Sequence, residues 1–335
     1  MPLFPSLLVV AAAAGLTALL ILLLTPAMAR YAMARPSARG LHTRPTPQGG
    51  GIAIMIAVAI VCGLAAVAAG WGGVEMRPLA IALAAAGGLA VLGAIDDIRP
   101  LHPAPRFLAQ FALVGLVIAV LPQGRLFGDA LSPLAQGALL LVAGVWFVNL
   151  VNFMDGMDWM TVVEMAPLAV VIAGAAALGA VQPHVGLLAL ALLGGVIGFA
   201  PFNAPAARLF LGDVGSLSIG LIAGYGLACL ALSGHLGAAL IAPAYYLMDS
   251  GYTLAARAAR GEKVWIAHRT HFYQRAATGG MSVRQVLARV AALNLLLAAL
   301  SLAAIVRDDW RFTLAALIVA LAGTTATLRR LARGA

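Results

Sequence analysis

The chain has 335 residues, of which 63% are hydrophobic and only 10% are charged, and its formal net charge at pH 7 is +9. This composition excludes a water-soluble globular protein, because apolar runs long enough to span a bilayer recur along most of the chain. It also argues against nucleic-acid binding, because the basic residues are spread over alternate loops and form no single patch.

The apolar runs predict an all-α, polytopic transmembrane bundle of about eleven helices, in a single integral membrane domain over residues 1–335. Each span is expected to be helical, because lipid offers the backbone no hydrogen-bonding partner. The predicted spans are 3–28, 50–70, 79–95, 106–121, 134–151, 160–181, 184–200, 214–233, 236–256, 283–305 and 311–328.

The distribution of basic residues predicts the orientation of this bundle. Seventeen of the 21 Lys and Arg residues fall on one side of the predicted spans, and only Arg77, Arg125, Arg307 and Arg311 fall on the other. Short cytoplasmic loops carry the excess of positive charge in membrane proteins. We therefore expect the N-terminus outside and the C-terminus in the cytoplasm.

Acidic residues collect on the same predicted side. Asp96, Asp97, Asp155, Asp158 and Asp213 lie at or just past the cytoplasmic ends of predicted helices. Ionisable groups near the membrane are costly and often mark a functional site. The adjacent pair, Asp96 and Asp97, indicates a bound cation or a shared proton, although a solvated helix end explains the pair equally well.

Two further segments bring polar side chains to this face. NLVNFMDGMDWM spaces Asn149, Asn152, Asp155 and Asp158 three residues apart, which predicts one polar stripe on a helix and suits a hydrogen-bonding ligand. In FNAPAARLFLGDVGS, Asp213 precedes a predicted helix. It is expected to cap that helix, to hold Mg²⁺, or to do both.

Two basic loops complete the predicted face. RGLHTRPTPQGGG has glycines whose backbone N–H groups suit phosphates. RGEKVWIAHRTHFYQR mixes cations, histidines and aromatic residues, and is also typical of a segment that lies at the lipid headgroups. Carboxylates for a divalent cation, cations for phosphates and a lipid-facing bundle together favour phosphoryl transfer between a nucleotide-activated donor and a lipid acceptor.

At these segments the sequence resembles the polyprenyl-phosphate N-acetylhexosamine-1-phosphate transferases, that is, glycosyltransferase family 4. The resemblance extends through nearly the whole chain and rests on five ordered motifs, HTRPTPQGGG, IDDIRPLHPAPRFLAQ, NFMDGMDWM, FLGDVGS and HRTHFYQR. It implies an enzyme of the bacterial inner membrane with its active site on the cytoplasmic face.

The implied reaction transfers N-acetylhexosamine 1-phosphate from a UDP-sugar to undecaprenyl phosphate and releases UMP. The product would start a lipid-linked cell-envelope glycan of the O-antigen or polysaccharide type. The expected partners are these two substrates and membrane lipid, with no nucleic acid, and a homodimer is compatible with the family. The expected cofactor is Mg²⁺, with Mn²⁺ as a substitute.

The resemblance also assigns roles to individual residues. The implied catalytic residues are Asp96, Asp97, Asp213, His268 and His271, of which Asp213 and Asp97 are the implied metal ligands. The implied substrate-binding residues are His42, Thr46, Arg106, Asn152, Asp155, Asp158, Asn203, Phe210 and Arg269.

Three departures from the family pattern bear on the donor. Arg106 stands where Lys is frequent, Trp159 stands where Gly is usual, and HRTH replaces a denser histidine cluster. We therefore expect a compact UDP-N-acetylhexosamine and not UDP-MurNAc-pentapeptide as donor. The alternatives are the phospho-MurNAc-pentapeptide transferase of peptidoglycan synthesis, a CDP-alcohol phosphotransferase, and a secondary transporter, whose polar residues should lie near the membrane midplane.

Overall fold

The computed structural model describes residues 3–34, 45–263 and 268–334, and these parts of the chain are mostly helical. The helices are α1 (Leu3–Tyr31), α2 (Gly50–Ala68), α3 (Gly73–Ile98), α4 (Pro103–Ile118), α5 (Pro133–Met154), α6 (Met160–Ala177), α7 (Pro183–Asn203), α8 (Asp213–Leu230), α9 (Leu236–Ile241), α10 (Ala244–Ala259), α11 (Phe272–Thr278), α12 (Val283–Arg307) and α13 (Trp310–Arg333). Two short antiparallel strands, β1 (Met33–Ala34) and β2 (Thr46–Pro47), pair between α1 and α2.

The predicted polytopic helical bundle is confirmed. Among the described residues, nine helical segments are long and apolar enough to cross a membrane, and the shorter α4 is a further apolar helix. The predicted span 236–256 is not one helix, because α9 ends at Ile241 and α10 begins at Ala244. Pro243 lies at this break, where a residue without a backbone N–H cannot continue the helical ladder.

The connections gather at two opposite ends of the bundle. At one, which we call the site end, the start of α8 meets the end of α3 through Asp97 and Asp213. At the other, the far end, His235 lies 3.9 Å from Asp308. The chain reverses after α8 through Gly234, whose φ of 94° is a left-handed conformation that suits glycine.

Small residues let α8 pack closely at the centre of the bundle. A Cβ added to Gly93 of α3 would collide with the Asp213 backbone, and one added to Gly51 of α2 would collide with Gly215. Membrane helices associate through such small residues, because close backbone approach maximises van der Waals contact. These glycines therefore bring the acidic end of α3 against the first turn of α8.

Candidate functional site

Asp97 of α3 caps the N-terminus of α8. Its Oδ1 accepts a hydrogen bond from the Asp213 backbone N–H at 3.0 Å, and its Oδ2 accepts one from the Val214 N–H at 3.2 Å. The expectation that Asp213 caps this helix is wrong, because the N-cap residue is Gly212 and no side chain of the loop itself caps the helix. The negative carboxylate also complements the positive end of the helix dipole.

The Asp213 side chain, freed from capping, points to a polar neighbour on α5. Its Oδ1 accepts a hydrogen bond from Asn152 Nδ2 at 2.8 Å, and the same amide donates to Ser216 Oγ at 2.9 Å. The Asp213 side chain keeps 29% of its surface exposed. One carboxylate oxygen is therefore positioned by the protein while the group remains open to a ligand.

Arg106 of α4 bridges two of the acids. Its Nη1 lies 2.7 Å from Asp96 Oδ2 and 3.6 Å from Asp213 Oδ2, while Asp96 Oδ1 accepts a hydrogen bond from the Leu101 N–H. The buried Nε of Arg106 has no hydrogen-bond partner among the described residues. The Arg106 guanidinium thus lies between two carboxylates and has one N–H donor without a partner among the described residues. Such a group is suited to binding the phosphate of a substrate that enters together with a metal cation.

The partly exposed carboxylate of Asp213 fits Mg²⁺ bound together with a substrate phosphate. Mg²⁺ in phosphoryl-transfer sites usually takes one or two carboxylates and fills its other positions with water and phosphate oxygens. Within the described ranges no group of three or more His, Cys, Asp or Glu residues is placed to hold a metal ion. Each Asp97 oxygen already accepts one N–H, so its role as a metal ligand stays a prediction.

Asp155, just past the end of α5, belongs to the same electrostatic environment. Its pKa is raised to about 8, mainly by burial and in part by the carboxylates of Asp213, Asp97 and Asp158, while a hydrogen bond from Thr161 opposes the rise. Because the charges of Asp97 on α3 and Asp213 on α8 change the pKa of Asp155, this carboxyl group lies close to them. Asp155 is therefore part of the same candidate site.

Asp158 and Asn203 join the loop after α5 to the loop after α7. Asp158 Oδ2 accepts from the Ala207 N–H at 3.0 Å, and Asn203 Oδ1 accepts from the Trp159 N–H at 2.7 Å. Trp159 has a φ of 61°, and its indole Nε1 donates to the Ala200 carbonyl at 2.6 Å. The indole is therefore held against the end of α7, beside both predicted substrate-binding residues.

Phe210 and Thr46 lie where the loop after α7 meets the start of α2. The Phe210 N–H donates to the Pro47 carbonyl, and the Phe210 carbonyl accepts from the Gly50 N–H, both at 2.9 Å. Thr46 is buried in β2. His42, also predicted to bind substrate, lies outside the described residues.

The histidines of the HRTH motif stack on each other beside the site. The rings of His268 and His271 have centroids 4.8 Å apart, and His268 Nδ1 lies 2.8 Å from Thr270 Oγ1. Burial, followed by the charges of His271 and Arg257, lowers the pKa of His268 to about 4. Arg269, the other predicted residue of this motif, is half-buried.

The following helix links these histidines to the acids. The Tyr273 hydroxyl of α11 donates to the Phe153 carbonyl at 3.4 Å, next to Asn152. The predicted acids at the end of α3, after α5 and at the start of α8 thus lie in one region at the site end, with the two histidines beside them.

Two acids that the sequence analysis missed are buried inside the bundle. Asp249 of α10 contacts His271, and Glu164 of α6 accepts a hydrogen bond from Asn294 at 2.7 Å. Both acids could have been found from the sequence, because each is a carboxylate inside a predicted apolar span, where an ionisable group is costly without a partner. Asn149, by contrast, belonged to the predicted stripe, but it is buried against Gln110 at 2.6 Å.

Comparison with known proteins agrees with this architecture. Residues 79–233, which contain Asp96, Asp97, Asp155, Asp158 and Asp213, match the model of glycosyl transferase family 4. The chain is 31% identical to the phospho-N-acetylmuramoyl-pentapeptide-transferase of Limosilactobacillus fermentum over 233 residues, which cover 62% of this chain and 71% of that protein.

Two other relatives carry different names. The decaprenyl-phosphate N-acetylglucosaminephosphotransferase of Mycolicibacterium smegmatis is 29% identical over 214 residues, 58% of this chain and 52% of that protein. The probable undecaprenyl-phosphate N-acetylglucosaminyl 1-phosphate transferase of Bacillus subtilis is 26% identical over 292 residues, 79% of this chain and 76% of that protein. The chain thus spans about half the length of the mycobacterial relatives that it matches.

The fold defines a polytopic membrane protein with a cluster of acidic and basic side chains at one end of its bundle. The chain belongs to glycosyl transferase family 4, as its five sequence motifs indicated.

Proposed function

We propose that this protein transfers N-acetylhexosamine 1-phosphate from a UDP-sugar to undecaprenyl phosphate at the cytoplasmic face of a bacterial inner membrane. UMP is released, and the lipid-linked product starts a cell-envelope glycan of the O-antigen or polysaccharide type. The observation that carries the proposal is the convergence of Asp96, Asp97 and Asp213 with Arg106 and Asn152 at one end of the bundle. The names of the relatives support the same reaction class.

The reaction brings two anions together, and the site residues address that difficulty. An oxygen of the lipid phosphate attacks the phosphorus that carries the sugar, and the bond from this phosphorus to the oxygen of the leaving UMP breaks. Arg106 lies between Asp96 and Asp213, where it can neutralise phosphate charge. Mg²⁺, if held by Asp213 with Asp97 as the family pattern implies, would supply the rest of that neutralisation.

Proton transfer places a small demand on the site. A phosphate monoester has a second pKa near 6, so the lipid phosphate has already lost most of its last proton at neutral pH. A carboxylate of the adjacent pair, Asp96 and Asp97, is proposed to accept the remainder. Asp155, Asp158 and Asn203 lie next to this centre and are proposed to contact the nucleotide and sugar.

A reconstitution experiment tests the proposed function. Purified protein would be mixed with undecaprenyl phosphate, Mg²⁺ and UDP-N-acetylglucosamine, and UMP and the lipid product would be measured by mass spectrometry. Asp213→Asn should lower the rate by about 100-fold or more, because the charge that is proposed to hold the metal is lost, although the amide oxygen can still accept from Asn152. Asp129→Asn, an exposed change outside the acidic cluster, is the matched control and should keep the wild-type rate.

The rival functions give different products in the same experiment. A CDP-alcohol phosphotransferase would release no UMP from this mixture, and would release CMP when a CDP-linked lipid and an alcohol acceptor are supplied instead. A secondary transporter would release neither nucleotide, and either result would overturn the proposal. Dependence on the added metal would be measured by replacing Mg²⁺ with Mn²⁺ and with EDTA.

A further inference from the structure

A fully buried carboxylate in α10 contacts the HRTH motif. Asp249 Oδ1 lies 3.1 Å from His271 Nδ1 and accepts a hydrogen bond from the Phe272 backbone N–H at 3.1 Å. Thr253 Oγ1 and the Tyr245 hydroxyl, both on α10 itself, donate to the same carboxylate at 3.3 Å. Asp249 is thus the point at which α10 holds the beginning of α11.

The four hydrogen-bond donors around Asp249 explain how a carboxylate can be buried at this position. A buried carboxylate is costly unless hydrogen bonds replace its lost hydration. Two of its four donors lie one helical turn away on α10 and are available whatever the following loop does. The other two, on His271 and Phe272, exist only when the segment after residue 267 is docked.

The contact also fixes the chemistry of the imidazole. An ionised carboxylate only accepts hydrogen bonds, so the ring nitrogen that faces Asp249 must carry the proton. His271 then has its hydrogen on Nδ1, and Nε2 is the accepting nitrogen of the ring. The ring plane is held as well, because His271 lies between His268, 4.8 Å away, and Tyr273, 5.9 Å away, measured between ring centroids.

We propose that Asp249 is a positioning residue, which acts through His271 to set the tautomer of this histidine and the placement of the stacked His268 beside the acidic site. The effect on turnover rests on the proposed function. The tautomer and the docking of the segment do not, because they can be measured without substrate.

The first test is spectroscopic and uses the wild-type protein. Histidine labelled with ¹⁵N distinguishes a protonated Nδ1 from a protonated Nε2, and the His271 signals are assigned by their loss in His271→Gln. We expect Nδ1 of His271 to be protonated in the wild type. In Asp249→Asn the amide can turn its NH₂ group towards the ring, and the tautomer should shift to protonated Nε2 or to a mixture. A wild-type His271 protonated on Nε2 alone would overturn the proposal.

The second test is a double-mutant cycle on UMP release. Asp249→Asn should lower kcat by roughly 10- to 100-fold, as expected when a histidine loses the partner that orients it. In a His271→Ala background the same change should cost less than about threefold, because the residue through which it acts is gone. A full additional loss in that background would show a role independent of His271 and would also overturn the proposal.

Control variants separate positioning from general stability of α10. Thr253→Val and Tyr245→Phe each remove one hydroxyl donor to Asp249 and leave the contacts with His271 and Phe272 in place. Both should keep the wild-type tautomer and a rate within about threefold of wild type. If the wild type released no UMP from any donor, the proposed function would fail, whereas the tautomer measurement would still decide the role of Asp249.

Discussion

Asp97→Asn separates a structural role of the acidic pair from a chemical one. The Asp97 carboxylate accepts two backbone N–H groups at the start of α8. An asparagine of the same shape offers only one accepting oxygen, and its NH₂ group would face the other N–H. One charge-assisted hydrogen bond is therefore lost and the other becomes neutral, which we estimate to cost about 3 kcal/mol of unfolding free energy.

The adjacent acid provides the matched control. Asp96→Asn removes an ion pair with Arg106 whose side chains are 10% and 21% exposed, and it leaves the cap of α8 intact. We expect this change to cost about 1 kcal/mol, because Arg106 keeps the Asp213 carboxylate, 3.6 Å away, as a charged partner and the asparagine still accepts one hydrogen bond. Both variants should lose UMP release, but only Asp97→Asn should clearly lower the midpoint of thermal unfolding.

Thermal unfolding of both purified variants in detergent, followed by tryptophan fluorescence, measures this difference. Equal midpoints for Asp97→Asn and the wild type would refute the capping argument. In that case Asp97 would contribute through its charge at the reacting phosphates and not through the placement of α8.

Two further predictions concern pH and topology. Folding raises the pKa of Asp155 to about 8, so this group contributes stability at low pH that is lost as the pH rises from about 4 through 8. The thermal unfolding midpoint of Asp155→Asn should therefore rise relative to that of the wild type over this pH range. A difference between the two midpoints that does not change with pH would contradict the raised pKa. For topology, Glu262→Cys in a background without the two native cysteines should resist a membrane-impermeant thiol reagent in intact cells, whereas Asp129→Cys should react; labelling of Glu262→Cys would overturn the predicted orientation.

The sequence predicted the site end well because the acidic residues lie at helix ends. Once the spans are drawn, alternation of the chain across the membrane places Asp96, Asp155 and Asp213 at the same end. Their mutual contacts were beyond sequence reasoning, because these depend on which helices are neighbours. The capping of α8 by Asp97 requires the close approach of α3 and α8 that Gly93 permits, and neither hydropathy nor spacing shows that pairing.

Asp249 and Asn149 show two further limits of the pattern. Asp249 lies in the predicted span 236–256 and was not recognised as a site residue, because the mean hydropathy of many apolar residues hides one carboxylate. Asn149 was included because a three-residue spacing keeps side chains near one helix face, but that stripe drifts around the helix. Its amide consequently reaches Gln110 of α4 and not the acidic site.

Trp159 bears on the choice of donor, for which the relatives give no single answer. They include proteins named for N-acetylglucosamine and others named for the muramoyl pentapeptide. In this chain the indole donates to the Ala200 carbonyl, and its backbone N–H donates to Asn203. A large ring is thus fixed beside Asp158, where a glycine would leave open space, and we predict that a compact UDP-N-acetylhexosamine is preferred to UDP-MurNAc-pentapeptide.

The size of this preference follows from the cost of one steric conflict. A clash or a lost contact of this kind is worth about 1 to 3 kcal/mol, which corresponds to a roughly tenfold to hundredfold preference in kcat/KM. Trp159→Gly removes the ring, keeps the N–H that Asn203 accepts, and relieves the positive φ of 61°. Rates with each donor, undecaprenyl phosphate and Mg²⁺ would be compared for wild type and this variant. Trp159→Gly should lower the ratio of kcat/KM for the compact donor to kcat/KM for the pentapeptide donor. Faster transfer by the wild type from the pentapeptide donor than from every simple UDP-N-acetylhexosamine would place the protein with the pentapeptide transferases, because the indole would then leave room for the larger group.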